Sequence, residues 1–151
     1  MPTLREILLS EVNFPRVVAD SRRLLDGQVD RKSGLSGLAI KGGFAAIKTF
    51  RPDIIERALE DLLPSFVDKM EPFYQKWDAE GRKTTLRAYT QREAPAIATS
   101  LLSITDERAR KTQHKTLKSA YEKLRPMAQK HVEEGLPEVG EMVSRYLVTP
   151  Q

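Results

Sequence analysis

The chain has 151 residues, of which 40% are apolar and 30% charged, with a formal net charge of +4 and no cysteine. Charges of both signs interspersed at that apolar content exclude a disordered chain, and the lack of thiols excludes disulfides, thiolate catalysis and cysteine-based zinc sites. The length fits one domain spanning 1–151, able to bury roughly 68–70% of its unfolded surface without a staple.

Almost every segment carries the helical period and almost none alternates as a strand does, so the fold class expected is all-α, a single-domain multi-helix bundle. Thr3 and Glu6 have capping-box spacing before Ile7-Leu8-Leu9, which reads as a capped helix rather than a secretory signal. Asn13 can cap a helix entered through Pro15 and carrying Val17, Val18, Leu24 and Leu25. Pro52 suits the first turn of a helix bearing Ile54, Ile55, Ala58, Leu59, Leu62 and Leu63. Phe66, Met70, Phe73, Tyr74 and Trp77 continue one stripe across Pro72, which is expected to kink that helix rather than end it. Asp78 to Thr84 contains Gly81 and no large apolar residue, so it reads as a connection. Short helices follow near Leu86–Thr90 and from Pro95 to Leu102, with a new start at Thr105-Asp106-Glu107-Arg108. Two final helices are expected, one with Leu117, Ala120, Tyr121, Leu124 and Ala128, the other with Leu136, Val139, Met142, Val143, Tyr146 and Leu147. No apolar stretch reaches the ~20 residues of a membrane-spanning helix, so no integral membrane association is expected.

Four of the eight glycines fall within ten positions, Gly34, Gly37, Gly42 and Gly43, in a segment whose large residues are apolar. On a helical wheel Ser36, Ala39, Gly42, Gly43 and Ala46 share one side, with Ile40, Phe44 and Ile47 beside them and Lys41 and Lys48 on a narrow stripe. A helix apolar almost all round is expected to be central, enclosed by its neighbours, with its lysines snorkelling outward. The competing reading makes Gly34-Leu35-Ser36-Gly37 a phosphate-cradling turn with Lys32 and Lys41 as charge partners, although the lysine and hydroxyl of a nucleotide P-loop are missing after the glycines.

Between Thr105 and His131 eight basic residues face three acidic ones, an excess of five that accounts for the positive charge of the whole chain. Such concentration suits a solvated helix face or a surface that meets phosphates, for which Arg108, Arg110, Lys111, Lys115 and Lys118, with Lys41 and Lys48, are the candidate residues. Tyr121 is the one aromatic residue in that stretch and falls on its apolar side, so stacking on single strands is not supported.

Catalytic machinery is not visible. His114 and His131 are the two histidines and neither belongs to a zinc or di-iron motif; His131 with Glu134 reads as a surface pair near a helix end, and no metal or cofactor is expected. Glu56 and Glu60 follow a surface pattern, and no Gly-x-Ser-x-Gly elbow occurs.

Lys32 through Phe44, Thr105-Asp106-Glu107-Arg108-Ala109, Ala120-Tyr121, Leu124-Arg125 and Lys130-His131-Val132 together resemble an uncharacterised family of small soluble proteins, chiefly actinobacterial, known as a domain of unknown function. The resemblance covers nearly the whole chain and implies a bacterial cytoplasmic protein of one domain. The expected function is that of a non-enzymatic helical interaction protein, meeting a protein partner or a second copy of itself. The alternative is a binder of phosphate-bearing ligands or nucleic acid through the basic segment 108–130.

Overall fold

The computed structural model describes residues 2–50 and 53–147, apart from the side chains of Ser36 and Phe50. Among these residues there are seven helices and no strand: α1 (Leu4–Leu8), α2 (Asn13–Arg31), α3 (Gly34–Phe50), α4 (Ile54–Ala79), α5 (Leu86–Arg92), α6 (Ala94–Lys111) and α7 (Lys115–Leu147). The all-α expectation holds; the role expected of Pro52 lies outside the described residues.

Two long helices organise the rest. The side of α4 bearing Leu63, Val67, Met70, Tyr74 and Trp77 packs with α1, α2 and the C-terminal part of α7 in the main core, together with Leu4, Val17, Leu86, Tyr89 and Val143. A smaller cluster, Ala94, Ile97, Ala98 and Leu136, joins α6 to α7, and Phe73, Leu101 and Val139 touch both clusters. The expected stripe is therefore core: Trp77 and Met70 are buried and Phe73 is half-buried.

Local chemistry accounts for several boundaries. The Thr3 hydroxyl accepts from the Glu6 amide at 3.1 Å and the Thr85 hydroxyl from the Ala88 amide at 3.1 Å, each satisfying a first-turn donor that has no partner within its helix. Helix α4 runs on through Pro72, as expected, and through Pro64 as well. It ends in the polar connection, where Gly81 takes φ +88°.

Three boundaries differ from expectation. Asn13 does not cap α2: it is buried inside the first turn, where its Nδ2 donates to the Ile7 carbonyl at 2.8 Å and ties α2 to α1. No helix starts at Thr105, because α6 continues to Lys111; the Thr105 hydroxyl lies 3.1 Å from the Leu102 carbonyl and 2.8 Å from the Tyr121 hydroxyl, so it bonds backward and across instead of capping forward. The two final helices are one, 33 residues long, running through Pro126, Gly135 and Pro137. Tertiary packing overrides those breakers, since Gly135 faces the Gln28 side chain and Gly140 lies directly against α5.

Candidate interaction surface

Helix α3 forms where expected but not in the centre. Its start is set by two glycines with different tasks. Gly34, at φ +75°, turns the chain out of α2. At Gly37 a Cβ would come 2.7 Å from the Lys32 carbonyl carbon, so only glycine lets the first turn fold back on the preceding backbone. The Gly37 amide also donates to the Ser33 carbonyl at 3.2 Å. These glycines are thus accounted for by the α2–α3 corner. Lys32, the proposed phosphate partner, is engaged elsewhere, with its Nζ 2.7 Å from Glu134 and its side chain only 10% exposed.

The helix packs on α7, with smaller contacts to α2 and α4. The Lys32–Glu134 pair at one end and Gly43 against Leu124 further along make the two helices antiparallel. Ile40, Gly43, Phe44 and Ile47 are half-buried on the inner side. The opposite face is open to solvent: Leu35 is 88% exposed and Leu38 68%, with Ala39, Gly42, Ala45, Ala46 and Thr49 exposed on the same stripe. At about 100° per residue these seven fall within roughly 60° of Gly42, and no charge lies among them. Lys41 and Lys48 run down one flank, Lys41 exposed and Lys48 half-buried over the Phe44 ring at 4.9 Å.

The expectation of a central, enclosed small-residue helix is therefore corrected. Apolarity all round is compatible with burial on one side and an uncovered second face, and helical periodicity alone does not separate the two. The glycines divide accordingly. A Cβ at Gly43 would come 2.9 Å from both Leu124 methyl carbons, which are the mobile end of a side chain, whereas a Cβ at Gly42 would meet nothing within 4 Å. A helix-interior glycine is about 1 kcal/mol less favourable than alanine, and at Gly42 no contact within the chain offsets that cost.

Two of the five candidate cations of the basic segment, Arg108 and Lys111, pair with acids, as does their neighbour Arg125. Arg108 pairs with Asp61 and Lys111 with Glu107 at 3.0 Å, while Arg125 forks onto Asp106 at 2.7 and 3.1 Å. Arg110 and Lys115 are exposed and Lys118 is half-buried. Arg108 and Lys111 line a cleft of about 550 Å³ between α4 and α6, but Asp68 and Glu107 line it too, so its charge is mixed. A second cleft of about 430 Å³ among α2, α5 and α7 also mixes signs, with Arg23 beside Asp20 and Arg87 beside Glu141.

His131 is not the surface pair expected. It sits well inside α7, its side chain 13% exposed and both ring nitrogens buried without a hydrogen-bond partner, with Nδ1 3.6 Å from Glu134. Lys32 holds the Glu134 carboxyl below its ordinary range. No group of three or more histidine or acidic side chains suited to a metal occurs among the described residues.

Sequence periodicity placed Tyr121 on the apolar side without showing its polar role. Its hydroxyl donates to Asp106, and the Arg125 hydrogen bond, aided by Tyr121, lowers the Asp106 carboxyl despite some burial. Burial and that same bond push the Tyr121 phenol up to about 12. Burial also raises Tyr74, Tyr89 and Tyr146, the last with help from its bond to Asp20. The four tyrosines of the chain thus favour the protonated form in the fold. Their contribution to stability is complete below the unfolded value near 10 and is lost as pH rises through the higher folded values. Phenolate absorbance should accordingly appear above pH 10 and together with the loss of helical circular dichroism. Normal titration of all four in still-folded protein would contradict these contacts.

Fold and surface together define an all-α bundle with a peripheral helix that turns an apolar, uncharged face to solvent. The chain belongs to a family of unknown function, DUF6918, which it matches over residues 4–147. Comparison with curated proteins and with solved structures gives no match. Among the described residues no helix is long and apolar enough to cross a membrane.

Proposed function

We propose that the protein is a non-enzymatic helical interaction protein and that the outer face of α3 is its docking surface. One observation carries the reading: Leu35 and Leu38 stand 88% and 68% exposed on a face without charge. Large apolar side chains clustered in solvent mark a surface that another molecule covers. The alternative, phosphate or nucleic-acid binding through 108–130, draws less support, because Arg108, Lys111 and Arg125 already pair with acids. In this reading the protein acts in a bacterial cytoplasm, as the family resemblance implies.

The test compares wild-type protein with Leu35→Glu/Leu38→Glu as immobilised bait in an extract of the source cells, followed by quantitative mass spectrometry. The expected result is a protein, which can be the chain itself, held by wild type and lost from the variant. Identical retention on both baits would overturn the assignment of docking to α3.

A further inference from the structure

Helix α3 stands apart from the other helices in that none of its described side chains is buried. Even five-residue α1 buries Leu4, Ile7 and Leu8, and seven-residue α5 buries Leu86, Tyr89 and Thr90. Over residues 38–49 α3 gives no residue to either core cluster, and its inner side, Ile40, Gly43, Phe44 and Ile47, is only half-buried. Its polar contacts are internal: the Thr49 hydroxyl donates to the Ala45 carbonyl at 2.9 Å, and Lys48 lies over Phe44. Among the described residues no side chain of this stretch makes a hydrogen bond or ion pair with another helix. The start of the helix is held differently. Lys32 pairs with Glu134, Gln28 Nε2 donates to Glu138 at 2.8 Å, and Gly37 folds onto the Lys32 backbone, so the α2–α3 corner is fixed to α7.

We infer that residues 38–49 form a strap that releases from α7 and unfolds while the rest of the bundle stays folded. Release gives up contacts with α7, α2 and α4 but takes nothing out of the two cores. Once released, the segment does not hold its helix. Isolated helices shorter than ~12–15 residues are marginal in water, and Gly42 and Gly43 are each roughly fivefold less favourable to a helix than alanine. Opening uncovers the side of α7 that carries Leu124 and dissolves the outer face of α3 from Leu38 onward. The opening equilibrium thus sets the fraction of molecules competent to dock through that face, the one consequence that rests on the docking reading.

Hydrogen exchange on the purified wild-type chain reads the release directly. The amides of 42–49 should exchange about 100-fold faster or more than those of 67–77 in α4, each corrected for its intrinsic rate. Urea below the unfolding transition should accelerate the α4 amides steeply and the α3 amides little, because release of the strap exposes far less surface than global unfolding. A disulfide staple gives the second arm. A Cβ at Gly43 lies 3.1 Å from the Leu124 Cγ, so cysteines at the two positions are near the roughly 3.5–4.5 Å Cβ separation of a disulfide, and the chain has no other thiol. Oxidised Gly43→Cys/Leu124→Cys should exchange at 42–49 about tenfold more slowly, or slower still, than the same protein reduced. Protection of 42–49 equal to that of α4, with the same urea dependence, would overturn the strap, since α3 would then open only with the whole fold. Fast exchange that persisted in the oxidised protein would overturn it too, by placing the opening in a helix still seated on α7. Either result leaves docking to the separate comparison of wild-type and Leu35→Glu/Leu38→Glu baits.

Discussion

Gly140→Ala should destabilise the protein by about 1–3 kcal/mol or more, a larger loss than a single methyl group ordinarily causes. At Gly140 α7 lies directly against α5. A Cβ there would stand 2.3 Å from the Thr90 hydroxyl oxygen and 2.7 Å from the Leu86 carbonyl oxygen. Thr90 cannot move aside cheaply, being 1% exposed with its hydroxyl 3.0 Å from both the Leu86 and Arg87 carbonyls. Backbone on the other side of the contact leaves only displacement of α5 as a whole, and Leu86 and Tyr89 would leave the core with it. Thr90→Ala should rescue Gly140→Ala only in part, since the Leu86 carbonyl remains. Gly42→Ala is the informative contrast: with nothing within 4 Å and a helical backbone, it should raise stability by up to about 1 kcal/mol. Chemical denaturation of the three variants measures both signs, and a Gly140→Ala protein as stable as wild type would contradict the close approach.

Trp77→Ala should cost about 3–5 kcal/mol. The indole is 7% exposed and packs beside Tyr74 with ring centroids 6.0 Å apart. Its Nε1 donates to the Thr84 carbonyl at 2.9 Å, and the Arg82 guanidinium sits over the ring at 4.9 Å. One side chain thus fills the core at the end of α4 and holds the connection leading into α5. Trp77→Phe separates these roles, keeping most of the bulk and losing the hydrogen bond, for a cost nearer 1 kcal/mol. Native emission should be blue-shifted, and Trp77→Ala should also speed hydrogen exchange in the connection. Solvated emission from folded protein would contradict the burial.

The sequence made the helices legible because the apolar period of α2 and α4 is strong and because Thr3 and the Asp78–Thr84 connection carry recognisable local chemistry. It could not separate capping from cross-helix use of the same polar residues. Thr105 and Asn13 are good caps by type, but Thr105 bonds to Leu102 and Tyr121, and Asn13 to the Ile7 carbonyl. Nor could it distinguish an enclosed helix from one covered on a single side. Segment 34–50 was legible as a helix of close approach, and Gly43 against Leu124 bears that out, yet its outer face was hidden by a pattern apolar in every direction. Gly140, the glycine with the tightest surroundings, was missed because one glycine in Pro137-Glu138-Val139-Gly140-Glu141 carries no period. The lysines and arginines were visible as charge, while their partners, Asp61 and Asp106 among them, are set by tertiary packing.

The melting temperature of Leu35→Glu/Leu38→Glu at low protein concentration tests most directly whether the face on α3 is free in the monomer and available for docking. Two charges placed on a solvent-facing stripe should leave the transition within a degree or two of wild type, because surface substitutions away from packed features change stability by about 0.5 kcal/mol or less. A fall comparable to that of Trp77→Ala would show that the leucines are buried in the folded chain, and the docking surface would not exist.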